Sequence, residues 1–106
     1  MYATIRRYST KTAASTDTVD QFVRRIESNF LPRINDIPGF HSYGVMRTSD
    51  TEILSITVFE DREGSTEATR RAAEFVKNDP FTDQLNKPEV IEGDLFLLKE
   101  AGMGVR

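Results

Sequence analysis

The sequence predicts an α+β fold of the ferredoxin-like type, with the element order β-α-β-β-α-β in 106 residues. Three observations support it: apolar residues at helical spacing, a proline-glycine turn directly after them, and two strand-like runs that follow the turn. Two βαβ halves of this kind give a four-stranded antiparallel sheet with both helices on one face. The helical pattern comprises Val19, Phe22, Val23, Ile26, Phe30 and Ile34.

The first strand is predicted from Tyr2 to Thr10, where side chains alternate between the two faces of a sheet. The first helix is predicted to be capped by Thr16 or Asp17 and to continue to about Asn35. Pro32 lies inside its apolar pattern and predicts a kink or a break, because proline cannot donate the helical hydrogen bond.

The segment Ile37-Pro38-Gly39-Phe40 predicts a sharp turn, in which Gly39 adopts a positive φ. The second strand is predicted from His41 to Thr48, and Gly44 in its middle indicates a bulge or a close backbone approach. A polar hairpin loop leads to the third strand, Ile53 to Glu60, which is rich in β-branched residues and apolar on both faces.

The second helix is predicted to be capped by Ser65 or Thr66, after a charged loop at 61–64. It is expected to end near Asn78, because Pro80 disfavours helical geometry in the residue before it. Its apolar face would comprise Ala68, Ala72, Phe75 and Val76.

One more helical turn is predicted from Pro80 to Leu85, followed by a final strand from Pro88 to Leu98. We therefore expect a single domain over residues 1–106, with a core at 1–99 and a frayed tail at 100–106.

Composition excludes several classes of function. The net charge is −3 and no basic stripe with interleaved aromatic residues occurs, so we expect no nucleic-acid partner. The absence of cysteine excludes disulfides, thiolate catalysis and thiolate metal sites. No signal peptide or membrane span is evident, and we expect a soluble, cytoplasmic protein.

The predicted sheet has one face that its own helices cannot cover. The third strand carries apolar side chains on both faces, so the open face also has to be buried. A second copy of the chain is the simplest cover, which predicts a homodimer whose two sheets close into a barrel.

His41, Tyr43 and Arg47 fall on one face of the second strand and could bind an anionic or phenolic ligand. Unperturbed histidine titrates near neutral pH, so His41 could act as a general base at the mouth of a pocket between helix and sheet. The alternatives are a solvated or hydrogen-bonded histidine at a strand edge and a Tyr43 that packs in a dimer interface.

Aromatic residues after the two turns, Phe40 and Phe81, are candidate pocket walls, whereas those at helical spacing are expected to be core. The arginine pairs, among them Arg6 and Arg7, are expected to be solvated charges. No metal-ligand spacing, phosphate-binding glycine loop, nucleophile elbow or dinucleotide fingerprint occurs, so we expect no metal and no cofactor.

From Met1 to Lys99 the chain resembles the dimeric α+β barrel superfamily, and most of all its antibiotic-biosynthesis-monooxygenase-like (ABM-like) domains. The resemblance rests on the element order, on the 37–40 turn and on Asn78-Asp79-Pro80-Phe81 after the second helix. It implies that the protein binds a small molecule. More specifically, it implies a cofactor-independent monooxygenase that acts on an aromatic or polyketide-like substrate. In that chemistry His41 or Tyr43 would handle a proton before the substrate reacts with oxygen.

The chain also departs from parts of that superfamily. It has no tryptophan, and its only histidine is expected on a strand, whereas the haem-degrading branch uses an Asn, a Trp and a His. The polyketide-oxidising branch uses Asn, Trp and Tyr residues, for which Tyr43, Tyr8 and Asn29 are the available counterparts. The alternative reading is a non-catalytic module for ligand binding or dimerisation.

Overall fold

The computed structural model describes residues 1–99, and the predicted tail at 100–106 lies outside the described residues. The elements follow the predicted order, including the helical turn after the second helix, which is a short 3-10 helix, and a π-helical segment is added to it. The strands are β1 Tyr2–Ser9, β2 Phe40–Ser49, β3 Glu52–Phe59 and β4 Glu89–Asp94, and the helices are α1 Thr16–Arg25, the π segment Ile26–Phe30, α2 Leu31–Asn35, α3 Arg62–Asn78 and the 3-10 helix Pro80–Gln84.

The four strands form one antiparallel sheet in the order β2-β3-β1-β4. In the central pair Tyr2 lies opposite Phe59 and Arg6 opposite Ser55, which places alternate residues of both strands beneath the helices. Phe59 is completely buried there, in one apolar core with residues of α1 and α3. The predicted ferredoxin-like α+β fold is therefore confirmed.

The first helical region is divided, as predicted, but at a different place and by a different device. Ser15 caps α1 by accepting a hydrogen bond from the Thr18 N–H, so the cap lies one residue before the predicted Thr16. The break precedes Pro32, which lies in the first turn of α2 where its missing N–H costs little. The turn that breaks the helix is the π segment.

The π segment keeps the apolar residues of this region on one face. Ile26, Phe30 and Ile34 follow each other at intervals of four residues, and in an α-helix each interval rotates a side chain by about 40°. A π turn contains about one residue more than an α turn. The Leu31 N–H accordingly donates to the Ile26 carbonyl, and all three apolar side chains stay buried.

The second long helix begins earlier than predicted. Asp61 caps α3 by accepting a hydrogen bond from the Gly64 N–H at 2.9 Å, so the predicted loop at 61–64 already contains its first turn. Ser65 is buried at 2% exposure and bonds to Thr4, which explains why it is not the cap. The Gly39 prediction is confirmed by its φ of 84°.

The β2–β3 pairing contains two irregularities, and both lie away from the residue that predicted one. They occur between Phe40 and Ser42 and between Arg47 and Ser49, so the first of the two alternatives predicted for Gly44, a bulge, is wrong. Gly44 is regularly paired with Ile56, whose Cγ2 lies 3.4 Å from the position of a Cβ there.

The sheet face away from the helices carries exposed apolar side chains. Met46, Ile56 and Ile91 are 57%, 44% and 51% exposed, and they belong to β2, β3 and β4. β4 itself is shorter than the predicted Pro88–Leu98. Across residues 1–99, none of the helices is long and apolar enough to cross a bilayer.

Candidate functional site

A small cavity of about 30 Å³ lies between the sheet and the helices. Its walls come from α1, the π segment and α3 on one side and from β1, β2 and β3 on the other. The walls are mainly apolar, and the lining residues are Arg6, Tyr8, Phe22, Ile26, Phe30, Tyr43, Val45, Ile53, Ser55, Ala72, Phe75 and Val76. Its volume is close to that of one water molecule.

The polar groups of the cavity all come from the sheet. Arg6 and Tyr8 are two residues apart on β1 and therefore share a face, as do Tyr43 and Val45 on β2. Ser55 on β3 lies opposite Arg6 on one side and opposite Val45 on the other. The strand register thus gathers one cation and three hydroxyl groups on the cavity floor.

Arg6 is the least expected member of this group. It is only 4% exposed, so the expectation that it is a solvated charge is wrong. None of the ion pairs formed among residues 1–99 involves it. Within the same part of the chain, its side chain makes one hydrogen bond, from Nη2 to the Thr69 hydroxyl. Burial lowers the pKa of Arg6, and Tyr8, Tyr43 and the carboxylate of Glu92 act in the opposite direction.

The two tyrosines are neutral hydrogen-bonding groups. Burial raises the pKa of Tyr43 to about 12, and the nearby Tyr8 adds to the rise, whereas Arg6 and Ser55 oppose it. Burial also raises the pKa of Tyr8, and Arg6 opposes that rise. Near neutral pH both phenols therefore keep their protons and can donate to an oxygen atom in the cavity.

Tyr43 and Phe30 are adjacent in the cavity wall, and Tyr43 also reaches an outer groove. Their rings meet edge to face, with centroids 5.6 Å apart. Tyr43 also lines the outer groove, together with Glu27, Leu31, Pro32, Asn35, Phe40 and Ser42. Phe30 is the last residue of the π segment, a type of helix that often occurs at functional sites. Because the cavity has room for about one water molecule, a larger ligand requires its walls to move apart.

The remaining predicted binding residues do not line the inner cavity. Phe40 packs on Phe59 at 5.5 Å between centroids and lines the outer groove. Phe81 is buried at 2% exposure against Phe22, at 4.8 Å, and supports the cavity wall from behind. Asn29 lies in a separate surface cleft beside Asp79.

His41 and Arg47 lie elsewhere on β2. His41 occupies the bulge between Phe40 and Ser42, where Nδ1 lies 3.4 Å from the Ser42 hydroxyl. Arg47 donates to the Ala14 carbonyl at 2.5 Å and to the Ser49 carbonyl at 3.1 Å, and so holds the loop before α1. The structure therefore brings Tyr8 and Tyr43 together in the cavity, while His41 and Arg47 remain outside it.

The Asn78-Asp79-Pro80-Phe81 segment fixes the wall behind Phe22. Asp79 accepts two hydrogen bonds from Arg25, at 2.8 Å and 3.1 Å, and one from the Phe81 N–H at 2.9 Å. Arg25 is the last residue of α1, directly before the π segment. One buried carboxylate thus links the end of α1 to the 3-10 helix.

Sequence reasoning missed Arg6 and Ser55. The signal available for Arg6 was its alternation with Tyr2, Thr4 and Tyr8, which places four bulky or polar side chains on one face of β1. For Ser55 the corresponding signal was a small polar residue between Ile53 and Thr57 on the same strand face.

No family model and no curated protein matches the chain. Solved structures match it over nearly its full length. The monooxygenase ActVA-Orf6 of Streptomyces coelicolor, in complex with nanaomycin D, is 13% identical and superimposes with a TM-score of 0.70, covering 95% of this chain and 92% of that one. NE2512 of Nitrosomonas europaea, a protein of unknown function, is 16% identical with a TM-score of 0.68, covering 95% and 94%.

A third similar structure is SnoaB of Streptomyces nogalater, a cofactor-independent oxygenase. It is 12% identical with a TM-score of 0.60, covering 92% of this chain and 94% of that one. At these identities the similarity establishes the shared fold. The predicted resemblance to ABM-like proteins is confirmed at that level.

Proposed function

We propose that this protein binds a small aromatic molecule between its sheet and its helices, with an acidic oxygen of that molecule directed at Arg6. The observation that carries the proposal is a buried arginine that forms no ion pair among residues 1–99, in a cavity whose other walls are apolar and aromatic. Tyr8, Tyr43 and Ser55 supply further hydrogen-bonding groups for the same oxygen.

Electrostatics favours an anionic ligand. Burying an unpaired charge costs several kcal/mol, so a cation is seldom retained in a core without a counter-charge. A ligand oxyanion would supply that counter-charge, and its aromatic body would contact the rings of Phe22, Phe30 and Phe75.

The chemistry that fits such a site is oxygenation of the bound anion without metal or flavin. Arg6 would favour the ionised form of a phenol or enol, which is electron-rich and reacts with dioxygen. One oxygen atom enters the ring, and the second leaves as water with the two hydrogens lost from the substrate. Tyr43, protonated at neutral pH, would donate a hydrogen bond to the substrate oxygen rather than accept its proton.

The fold shared with SnoaB and ActVA-Orf6 supports this proposal, because those two proteins are described as oxygenases. A second candidate function is ligand binding without turnover. It is favoured by the position of His41 outside the cavity. The cavity volume of about 30 Å³ is far below the roughly 150 Å³ of cavities that take up benzene, so either function requires the cavity walls to move apart.

We further propose that two copies pair through their open sheet faces. The apolar side chains of Met46, Ile56 and Ile91 lie on that face and are about half exposed in one chain. A contiguous apolar surface of this kind is typical of an interface rather than of a solvated surface. The homodimer would bury both faces in one barrel.

Turnover is tested with 1-naphthol in buffer saturated with ¹⁸O₂. The expected product is 1,4-naphthoquinone with one ¹⁸O atom, at a rate above the protein-free background, detected by mass spectrometry. Arg6→Met is expected to abolish the excess rate, and Arg24→Met, a matched loss of an exposed arginine on α1, is expected to retain it. Binding of 1-naphthol without quinone formation would support the non-catalytic function instead.

A further inference from the structure

Two side-chain hydrogen bonds join β1 to α3, and one of them is made by Arg6, which lines the cavity. Thr4 and Ser65 share a hydrogen bond of 2.5 Å between their hydroxyl groups, and Arg6 donates to Thr69. Thr4 and Arg6 are separated by about 6.6 Å along the strand, and Ser65 and Thr69 by about 6 Å along the helix. These spacings agree, so consecutive helix-facing positions of β1 meet consecutive turns of α3.

The Thr69 hydroxyl has a defined orientation. It donates its own hydrogen to the Ser65 carbonyl at 3.0 Å, the usual bond of a helical threonine to the preceding turn. Its lone pairs are then free to accept from Arg6 Nη2. Arg6 forms no ion pair among residues 1–99, so the Thr69 hydroxyl is the one side-chain hydrogen-bond acceptor that its guanidinium has there.

We infer that Thr69 is a positioning residue that holds Arg6 with its remaining N–H groups directed at the ligand oxygen. The inference rests on the proposed anion site. Arginine binds an oxyanion through a planar fork of donors, so a rotation of the guanidinium removes part of the interaction even though the charge stays nearby. Thr69 itself does not line the cavity and acts only through Arg6.

The Thr4–Ser65 contact provides a matched control. It is a hydrogen bond between two hydroxyl groups, and like the Arg6–Thr69 bond it joins β1 to α3. Both residues are less than 3% exposed, and neither forms a side-chain hydrogen bond with Arg6. Removing both hydroxyls together leaves no orphaned partner between them and costs little stability. A general loosening of the β1–α3 contact would therefore affect both pairs, whereas a positioning role is specific to Thr69.

The test compares 2-naphthoate with its neutral isostere naphthalene-2-carboxamide by isothermal titration calorimetry. Thr69→Val is expected to weaken naphthoate binding about tenfold, at the lower end of the range for hydrogen bonds to charged groups. Binding of the carboxamide is expected to stay unchanged, and Thr69→Ser, which restores the hydroxyl, is expected to bind naphthoate within about twofold of wild type. If Thr69→Val does not fold, Thr69→Ala provides the same comparison.

Two results would overturn the inference. Equal losses for naphthoate and carboxamide in Thr69→Val, or the same selective loss in the double variant Thr4→Val with Ser65→Ala, would assign Thr69 a structural role only. A wild-type protein that does not prefer naphthoate would overturn the anion site and this inference with it. If Arg6→Met removes the preference and Thr69→Val keeps it, the anion site stands and the positioning role alone is wrong.

Discussion

Replacement of Asp79 with alanine is expected to weaken the cavity wall from behind. Its carboxylate is 3% exposed and accepts hydrogen bonds from Arg25 and from the Phe81 N–H, whereas the Arg25 side chain is 31% exposed. In Asp79→Ala, Arg25 can turn toward water. The Phe81 N–H stays buried and loses its acceptor, so the 3-10 helix loses its cap.

The magnitude follows from these contacts. Loss of a capping side chain costs about 1 kcal/mol. Loss of a charge-assisted bond to Arg25 adds about 1–3 kcal/mol, nearer the lower value because Arg25 is partly solvated. The unfolding free energy should therefore fall by about 2–4 kcal/mol. Asp79→Asn keeps an oxygen acceptor for Phe81 and is expected to cost only about 1–2 kcal/mol.

The assay is urea unfolding followed by far-ultraviolet circular dichroism, at one protein concentration for all variants. A loss of this size corresponds to a fall in Tm of about 10–20 °C for a domain of this length. Asp83→Ala, which removes an exposed carboxylate from the same 3-10 helix, is the control and should change stability by no more than about 0.5 kcal/mol. An Asp79→Ala protein as stable as that control would refute the linking role of Asp79.

Three further predictions concern a close contact, a titration and the open face. Gly64→Ala places a Cβ 2.6 Å from Cδ1 of the fully buried Phe59. The free energy of unfolding, measured in urea, should therefore fall by about 1–3 kcal/mol. A variant as stable as wild type would mean that Phe59 can move aside. The pKa of Tyr43 is raised from 10.0 to about 12, so the unfolded chain loses this proton first and stability should fall as pH rises through that window. The unfolding free energy measured in urea should fall by about 2–3 kcal/mol over that range, and Tyr43→Phe should not show this fall. Equal pH dependence in both proteins would exclude Tyr43 as its source. The molar mass from light scattering should be that of a dimer for wild type and that of a monomer for Ile56→Asp. Thr66→Asp, on the exposed side of α3, should keep the dimer mass. A wild-type monomer would contradict pairing through the open face.

Local patterns identified the elements well where one short segment determines the geometry. The 37–40 turn is such a case, because only glycine adopts a φ of 84° at Gly39 without strain. The start of α3 is the opposite case. Asp61, Ser65 and Thr66 are all competent caps, and the choice depends on Thr4, a strand residue 61 positions away that withdraws Ser65 into the core.

The candidate site was harder to predict because burial is decided by neighbours. Alternation along β1 places Arg6 on one face, but the sequence of β1 does not say which face the helices cover. An arginine side chain also predicted exposure to solvent, since arginine is rarely buried without a partner. His41 shows the same limit: the bulge that carries it arises from the β2–β3 register, which local sequence does not specify.

The most direct test of the anion site is a crystal structure of the protein soaked with 6-bromo-2-naphthoate, with bromine located by its anomalous scattering. We expect the carboxylate within about 3 Å of the Arg6 guanidinium and the bromine toward Phe30 and Tyr43, with those two rings displaced. A naphthoate bound only on the open sheet face or beside His41, with Arg6 still enclosed by its present neighbours, would contradict the site.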